Sequence, residues 1–180
     1  KMYRTIFEHT GNATMLVAND TTILTINSQF EKLSGYGRKE VEGKKSWLFF
    51  VHREDRERIL KYHKKRRIDE KEAPQNYECR FIAKDGAVRN VFSTVGMIEG
   101  TDQSVASLLD ITERIEMEKE SLDLISREAG GCMRDALSLL DQVLTCSGDG
   151  LTKDRILDIL GVIDRKMLFE ITSSILAGDV

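Results

Sequence analysis

The sequence predicts an α+β protein, and three observations carry the prediction. Strand-type alternation occupies two short runs near the start and three longer runs that end near Ile111, with helical spacing between the two groups. After Ile111 every apolar spacing is of the three-four type that belongs to helices. Charge divides in the same region: residues 1–118 hold 20 Lys and Arg against 19 Asp and Glu, whereas residues 119–180 hold 7 against 11. A mixed domain over 1–118 followed by a small all-α segment over 119–180 is expected, with the boundary near Glu118 to Glu120.

In the first segment, Met15 to Asn19 and Ile23 to Ile26 are short β-rich runs around Asp20-Thr21-Thr22, a turn signal. Asn27 caps a short helix whose buried side is Phe30 and Leu33, and Gly35 and Gly37 stop it. A longer helix is expected from Glu54 to Arg67. Arg56, Ile59, Leu60, His63 and Arg67 recur there at helical spacing, and Lys61, Lys64, Lys65 and Arg66 read as its solvated basic face. Tyr77, Cys79 and Phe81 then alternate with Glu78 and Arg80. Lys84-Asp85-Gly86 supplies a turn, and strands follow at Val88 to Ile98 and Val105 to Ile111.

The second segment reads as four helices. Leu122, Ile125 and Ala129 mark the first, ended by Gly130-Gly131. Met133, Ala136, Leu137, Leu140, Val143 and Leu144 mark the second, with one face expected to be buried. Thr152 and Asp164 cap two further short helices. About 60 residues is marginal for an independent core, so this segment is expected to need neighbours. Ile111, Ile115, Glu118, Leu122, Ile125 and Ala129 also recur at alternating four and three residues, which allows one helix to cross the boundary.

Composition removes several function classes. A net charge of -3 gives no basic field for nucleic acid or acidic membranes, so neither is an expected direct partner. Cys79, Cys132 and Cys146 are odd in number and scattered, unlike a disulfide framework or paired metal ligands, and point to a reducing cytoplasm. The longest strongly apolar run, Trp47 to Val51, falls far short of the roughly 20 residues of a membrane helix. No nucleophile-base set or metal-ligand pair stands out.

Over residues 3–118 several motifs occur together: Asn27-Ser28-Gln29-Phe30, Leu33-Ser34-Gly35-Tyr36, Val51-His52-Arg53-Glu54-Asp55-Arg56, Arg80-Phe81 with Lys84-Asp85-Gly86, and Asp110-Ile111-Thr112-Glu113-Arg114. With the strand order, these resemble the PAS sensory domain, although Arg53 stands where that family commonly has proline. The resemblance implies a five-stranded antiparallel sheet with flanking helices, a small pocket, and a last strand joined to an output helix by the Asp-Ile-Thr step. It implies sensing and relay without catalysis, and a homodimer through this domain or the linker helix.

Asp110 or Thr112 can cap that helix and Asp110 can pair with Arg114, so Asp110, Thr112 and Arg114 are the candidate relay residues. The same residues also read as a plain cap and a surface ion pair. Candidate pocket residues are Phe30, Leu33, Trp47, Phe49, Ile59, His63 and Phe81. His63, beside Ile59 and Leu60, is the one candidate haem ligand, against a reading as a packed histidine. Asn76 to Phe81 has a superficial likeness to a flavin-photosensor cysteine motif, but Cys79 lies on an expected strand and reads as a small core residue.

Residues 121–142, from Ser121-Leu122-Asp123 through Ala129-Gly130-Gly131-Cys132-Met133-Arg134-Asp135-Ala136-Leu137 to Asp141-Gln142, resemble the helical lid of the bacterial DNA polymerase III clamp-loader gamma/tau subunit, an AAA+ protein. Leu160-Gly161 and Leu168-Phe169-Glu170 continue the likeness, and Cys132 replaces the usual serine. In that family the arginine of the Met-Arg-Asp step senses nucleotide, which would fall to Arg134 beside a helix start. Pairing with Asp135 or Glu128, or simple solvation, is the other reading. No G-x-x-x-x-G-K-[ST] loop is present, so ATP hydrolysis by these residues alone is not expected. Clamp-loader subunits are candidate partners for 119–180. The two resemblances suggest an artificial fusion of modules, with a clamp-loader fragment acting in replication as the alternative.

Overall fold

The computed structural model describes residues 2–130 and 132–146, so the helices expected after Thr152 and Asp164 lie outside the described residues. Helix α1, Met2–Glu8, precedes the first strand and has no counterpart among the expected elements. Seven residues are too few to show a period, and contacts from elsewhere in the chain tie the helix down: Asn27 Nδ2 donates to Phe7 O at 3.1 Å and Arg38 Nη2 to Glu8 Oε2 at 2.7 Å. Strands β1, Ala13–Val17, and β2, Ile23–Ile26, form the first hairpin, and Asn19 falls in its turn. Thr21 carries φ 77° in that turn, an unfavourable geometry for a β-branched residue. Its hydroxyl holds Ser46 Oγ at 2.8 Å, and its carbonyl accepts from Trp47 N at 3.1 Å.

Asn27 caps helix α2, Ser28–Ser34, and its fully buried amide does more than cap. Oδ1 accepts from Phe30 N and Thr14 N, both at 2.9 Å, while Nδ2 also donates to Asn12 O at 2.8 Å. Gly35 ends α2 in the left-handed region, φ 73°, where a Cβ would stand 3.2 Å from Lys84 Cβ. Helix α3, Arg38–Val41, and a 3-10 turn at Trp47–Phe50 follow. Helix α4, Arg53–Ile68, has Glu54 and Asp55 in its first turn and Lys65, Arg66 and Arg67 in its last, each suited to the helix dipole.

Strands β3, Asn76–Ile82, β4, Val88–Met97, and β5, Ser104–Asp110, complete a five-stranded sheet in the order β2-β1-β5-β4-β3, antiparallel at every pairing. Gly86, at φ 83°, and the Ala87 N to Asp85 Oδ1 bond build the β3–β4 turn at the expected residues. Phe30, Phe50 and Phe81 form the aromatic centre of the core. Phe30 meets the other two edge-on at 5.3 and 5.9 Å, and Phe50 stacks on Phe81 at 5.4 Å.

Helix α5, Thr112–Glu128, runs without a break through residues 118–120, and the chain divides into two compact units between Thr112 and Glu113. Among the described side chains of α5 and the residue that follows it, Ser121, Ile125 and Ala129 are buried, whereas Leu122 is exposed. The buried row, spaced i, i+4, i+8, keeps Ile125 and Ala129 of the expected stripe and has Ser121 in place of Leu122. In helix α6, Met133–Cys146, the expected face is covered only in part: Met133 and Leu137 are 76% and 58% exposed, while Ala136 and Leu140 of the same face are half-buried. Among the described residues no helix is long and apolar enough to cross a membrane.

Candidate functional site

The alternation of the central strands points Met15, Val91, Ser93, Val95, Ala106 and Leu108 to one face of the sheet, and α4 lies over them. Between sheet and helix remains a cavity of about 40 Å³, walled on the helix side by Ile59, His63 and Arg66 and closed by Trp47 and Phe50. A water needs on the order of 10–15 Å³ by this measure, so there is room for about three waters and not for a haem or a flavin.

Of the residues expected to form the pocket, Trp47, Ile59, His63 and Phe81 line this cavity. Phe30 stands behind Phe50 and Phe81, and Leu33 faces a different depression, beside Lys32 and Arg89. Phe49 is 46% exposed, under the Lys45 ammonium at 3.9 Å, and is corrected from pocket wall to surface. The cause is the 3-10 turn, in which Trp47 and Phe50, three apart, share the inward side.

His63 is a packed histidine. Its Nδ1 accepts from Arg67 Nη1 at 2.9 Å, so its Nε2 carries the proton and donates to Asn19 O at 3.0 Å. Both ring nitrogens are occupied, and with the small cavity this makes the residue unfit as a haem ligand. Burial, followed by the charges of Arg67 and Arg66, lowers its pKa below the ordinary histidine value, while the Asn19 bond and Asp20 oppose. Arg67 also donates to Ala18 O at 3.2 Å and Ser104 Oγ at 3.4 Å, tying α4 to the hairpin turn and to β5. Cys79 belongs to the wall, and burial pushes its thiol up to about 11, away from the reactive thiolate.

Arg66 is the residue that spacing alone misplaces. Expected on the solvated basic face, it is 4% exposed, lines the cavity and donates to Pro74 O. Nearby, the buried Trp47 Nε1 and Arg67 Nε have no hydrogen-bond partner. A sequence signal existed in the three-residue step from His63 to Arg66. A run of five basic residues within Lys61–Arg67 concealed it.

The other expected site is the end of the sheet. Asp110 Oδ1 accepts from Thr112 N at 3.0 Å and Thr112 Oγ1 at 2.6 Å, forming the cap of α5. Asp110 Oδ2 takes Arg89 Nη1 at 3.2 Å. Burial opposes ionisation, but the Thr112 bonds and Arg89 hold the carboxyl below its usual range. Asn90 N donates to Thr112 Oγ1 at 2.9 Å and Ile111 N to Asn90 O at 2.9 Å, so the first residue of α5 is fastened to β4. Arg114 pairs with Glu118 at 2.9 Å, and the expected Asp110–Arg114 pair gives way to Arg89, which reaches Asp110 from the neighbouring strand. Arg134 lies exposed in the first turn of α6. Among the described residues no group of His, Cys, Asp and Glu could hold a metal ion.

This sheet, with α4 over its inner face, defines the class: residues 23–111 match the family model of the PAS fold. A second family model, the ATPase lid domain of the DNA polymerase III clamp loader subunit, matches residues 102–149, overlapping the first along β5. The chain thus carries a PAS fold joined to a clamp-loader lid-like segment. The PAS domain of a Colwellia psychrerythraea protein has the same fold, at 20% identity and TM-score 0.56 over 63% of this chain and 97% of that one. DNA polymerase III subunit tau of Bacillus subtilis is 40% identical over 63 residues, 35% of this chain and 11% of the relative. Protein STICHEL-like 1 of Arabidopsis thaliana is 34% identical over 67 residues, 37% of this chain and 6% of the relative. The chain therefore spans about a tenth or less of these curated relatives.

Proposed function

We propose that residues 1–112 form a non-catalytic sensory module that responds to a small ligand or partner and passes the change to α5 at Thr112. The observation that supports this is the attachment of Thr112 to Asn90. Asn90 adjoins Val91 on β4, and Val91, Ser93 and Val95 of the same strand form the cavity wall. A shift of β4 is therefore a shift of the helix start. Homodimerisation through this domain or through α5 fits such a relay.

Amide hydrogen exchange across residues 112–120, in the full chain and in Thr112→Val, tests the reading when the cavity is filled by Ala106→Leu. Filling should change exchange over 112–120 in the parent and leave it unchanged in Thr112→Val, whose Asn90 N–H loses its acceptor. No response in the parent would refute the relay.

A second reading, part of a clamp loader acting in replication, is favoured by the 40% identity to the tau subunit. It makes the PAS domain an appendage, and the join an artificial or natural fusion. It predicts capture of clamp-loader subunits by the full chain, and failure of that capture removes it.

A further inference from the structure

We infer that His63 and Arg67 form a clasp opened by a proton: a proton taken up at His63 Nδ1 expels the Arg67 guanidinium and frees the last turn of α4 from the β1–β2 turn and from β5. The closed clasp requires a neutral ring. His63 Nε2 donates to Asn19 O at 3.0 Å, and Nδ1 accepts from Arg67 Nη1 at 2.9 Å. A guanidinium only donates and keeps its charge, so a second ring proton sets two donors and two positive charges against each other at that distance. The Asn19 bond survives protonation, because Nε2 donates in both forms of the ring. The Arg67 bond does not. The clasp lies within the sensory module but needs no relay to α5, so its test is independent of that reading.

Arg67 holds two other elements. Its Nη2 donates to Ala18 O at 3.2 Å and to Ser104 Oγ at 3.4 Å, and both bonds go when the guanidinium leaves. Asp102, exposed in the turn between β4 and β5, attracts Arg67 and gives it a destination. Burial, then Arg67 and Arg66 on its own helix, oppose a charged His63, while the Asn19 carbonyl and Asp20 in the hairpin turn favour one. The 3-10 turn presents the neutral Trp47 ring, 5.5 Å away, and β3 contributes Tyr77 and Cys79 to the same cavity, both kept neutral by burial. The clasp is therefore shut above the ordinary histidine value of about 6.5 and opens as pH falls below it. Each unit by which Arg67 depresses the midpoint is about a tenfold bias toward the open form once the ring is charged. The turn set free carries Thr21 at φ 77°, and Thr21 O accepts from Trp47 N at 3.1 Å. Loosening it loosens Trp47, which closes the cavity.

Nitrogen-15 NMR of the full chain, titrated from pH ~8 to pH ~5, tests the inference. The His63 ring should change from the Nε2–H tautomer to the doubly protonated form with a midpoint below that of free histidine. The amides of Asn19, Thr21 and Ser104 should shift and exchange faster with the same midpoint. In His63→Gln, whose amide can keep both bonds without titrating, that step should vanish. In Arg67→Met the His63 midpoint should rise and the three amides should no longer follow it; either variant decides the matter should the other fail to fold. Titration of His63 with the three amides unmoved, the same step in His63→Gln, an equal midpoint in Arg67→Met, or unfolding of the whole domain before any change at the turn would overturn the inference.

Discussion

Asp55→Asn tests how the helix over the cavity is anchored. Asp55 Oδ2 accepts from Arg80 N at 3.1 Å and Arg80 Nε at 3.0 Å, and Oδ1 from Arg80 Nη2 at 3.2 Å and Arg58 Nη2 at 3.3 Å. The Arg80 hydrogen bonds, against burial, lower its pKa from 3.8 to about 2. That difference converts to about 2 kcal/mol of stability. Because the folded value is the depressed one, the contribution is complete above the unfolded pKa and disappears as pH falls through the folded value. Asparagine keeps one acceptor oxygen and loses the charge, so a loss of about 2–3 kcal/mol at neutral pH is expected. Urea unfolding followed by Trp47 emission reads this domain alone, since Trp47 is the one tryptophan and is buried within it. The gap between parent and variant should narrow by about 1 kcal/mol from pH ~5 to pH ~3. A neutral-pH gap below about 0.5 kcal/mol, or one that does not narrow, would refute the assignment.

Asn27→Ala removes the cap of α2 and strands the Thr14 N–H, and should cost about 3 kcal/mol or more in urea unfolding; Asn27→Ser should recover only the cap portion, about 1 kcal/mol. Full recovery in Asn27→Ser would show that the cap alone matters, and equal losses in the two variants that it contributes nothing. His63, facing Arg66 and Arg67 on its own helix, Asp20 in the hairpin turn and the Trp47 ring, is held neutral when folded. Its unfolded form takes up a proton below about pH 6.5, so the parent should lose stability on acidification there relative to His63→Gln, whose amide can keep both bonds without titrating. Parallel pH profiles for the two proteins would contradict that account.

Where a residue's role is local, the sequence showed it. Asn27 before Phe30, Gly35 after α2, Lys84-Asp85-Gly86 between alternating runs and Asp110-Ile111-Thr112 each act within three or four residues, and each sits where the pattern put it. Roles decided by distant contacts were not legible. Trp47-Leu48-Phe49-Phe50 has no period, so only the 3-10 turn reveals that Phe49 faces outward. Arg66 looks like its basic neighbours until α4 is laid on the sheet, and α1 is held by Asn27 and Arg38, some twenty to thirty residues away. The partner of Asp110 followed the same rule: a cross-strand arginine took the place of the one four residues along the helix.

Helix α4 has different chemistry at its two ends, and this bears on how a bound ligand could be felt at α5. Its first turn holds β3 through Asp55 and Arg80, Arg80 pairs across the sheet with Asn90, and Asn90 holds Thr112. Its last turn carries Arg66 at the cavity and Arg67 on the hairpin turn and β5. Sixteen helical residues span about 24 Å, too far for direct electrostatic contact between the ends but stiff enough to move as one body. A change in the packing of the cavity would therefore act on the sheet at two places, by altering the wall of β4 and by turning the helix about its Asp55 anchor. Both routes converge on Asn90. The Asp55→Asn and Thr112→Val variants separate them: the former loosens the helical route and leaves the β4 wall intact, while the latter cuts the step the two share.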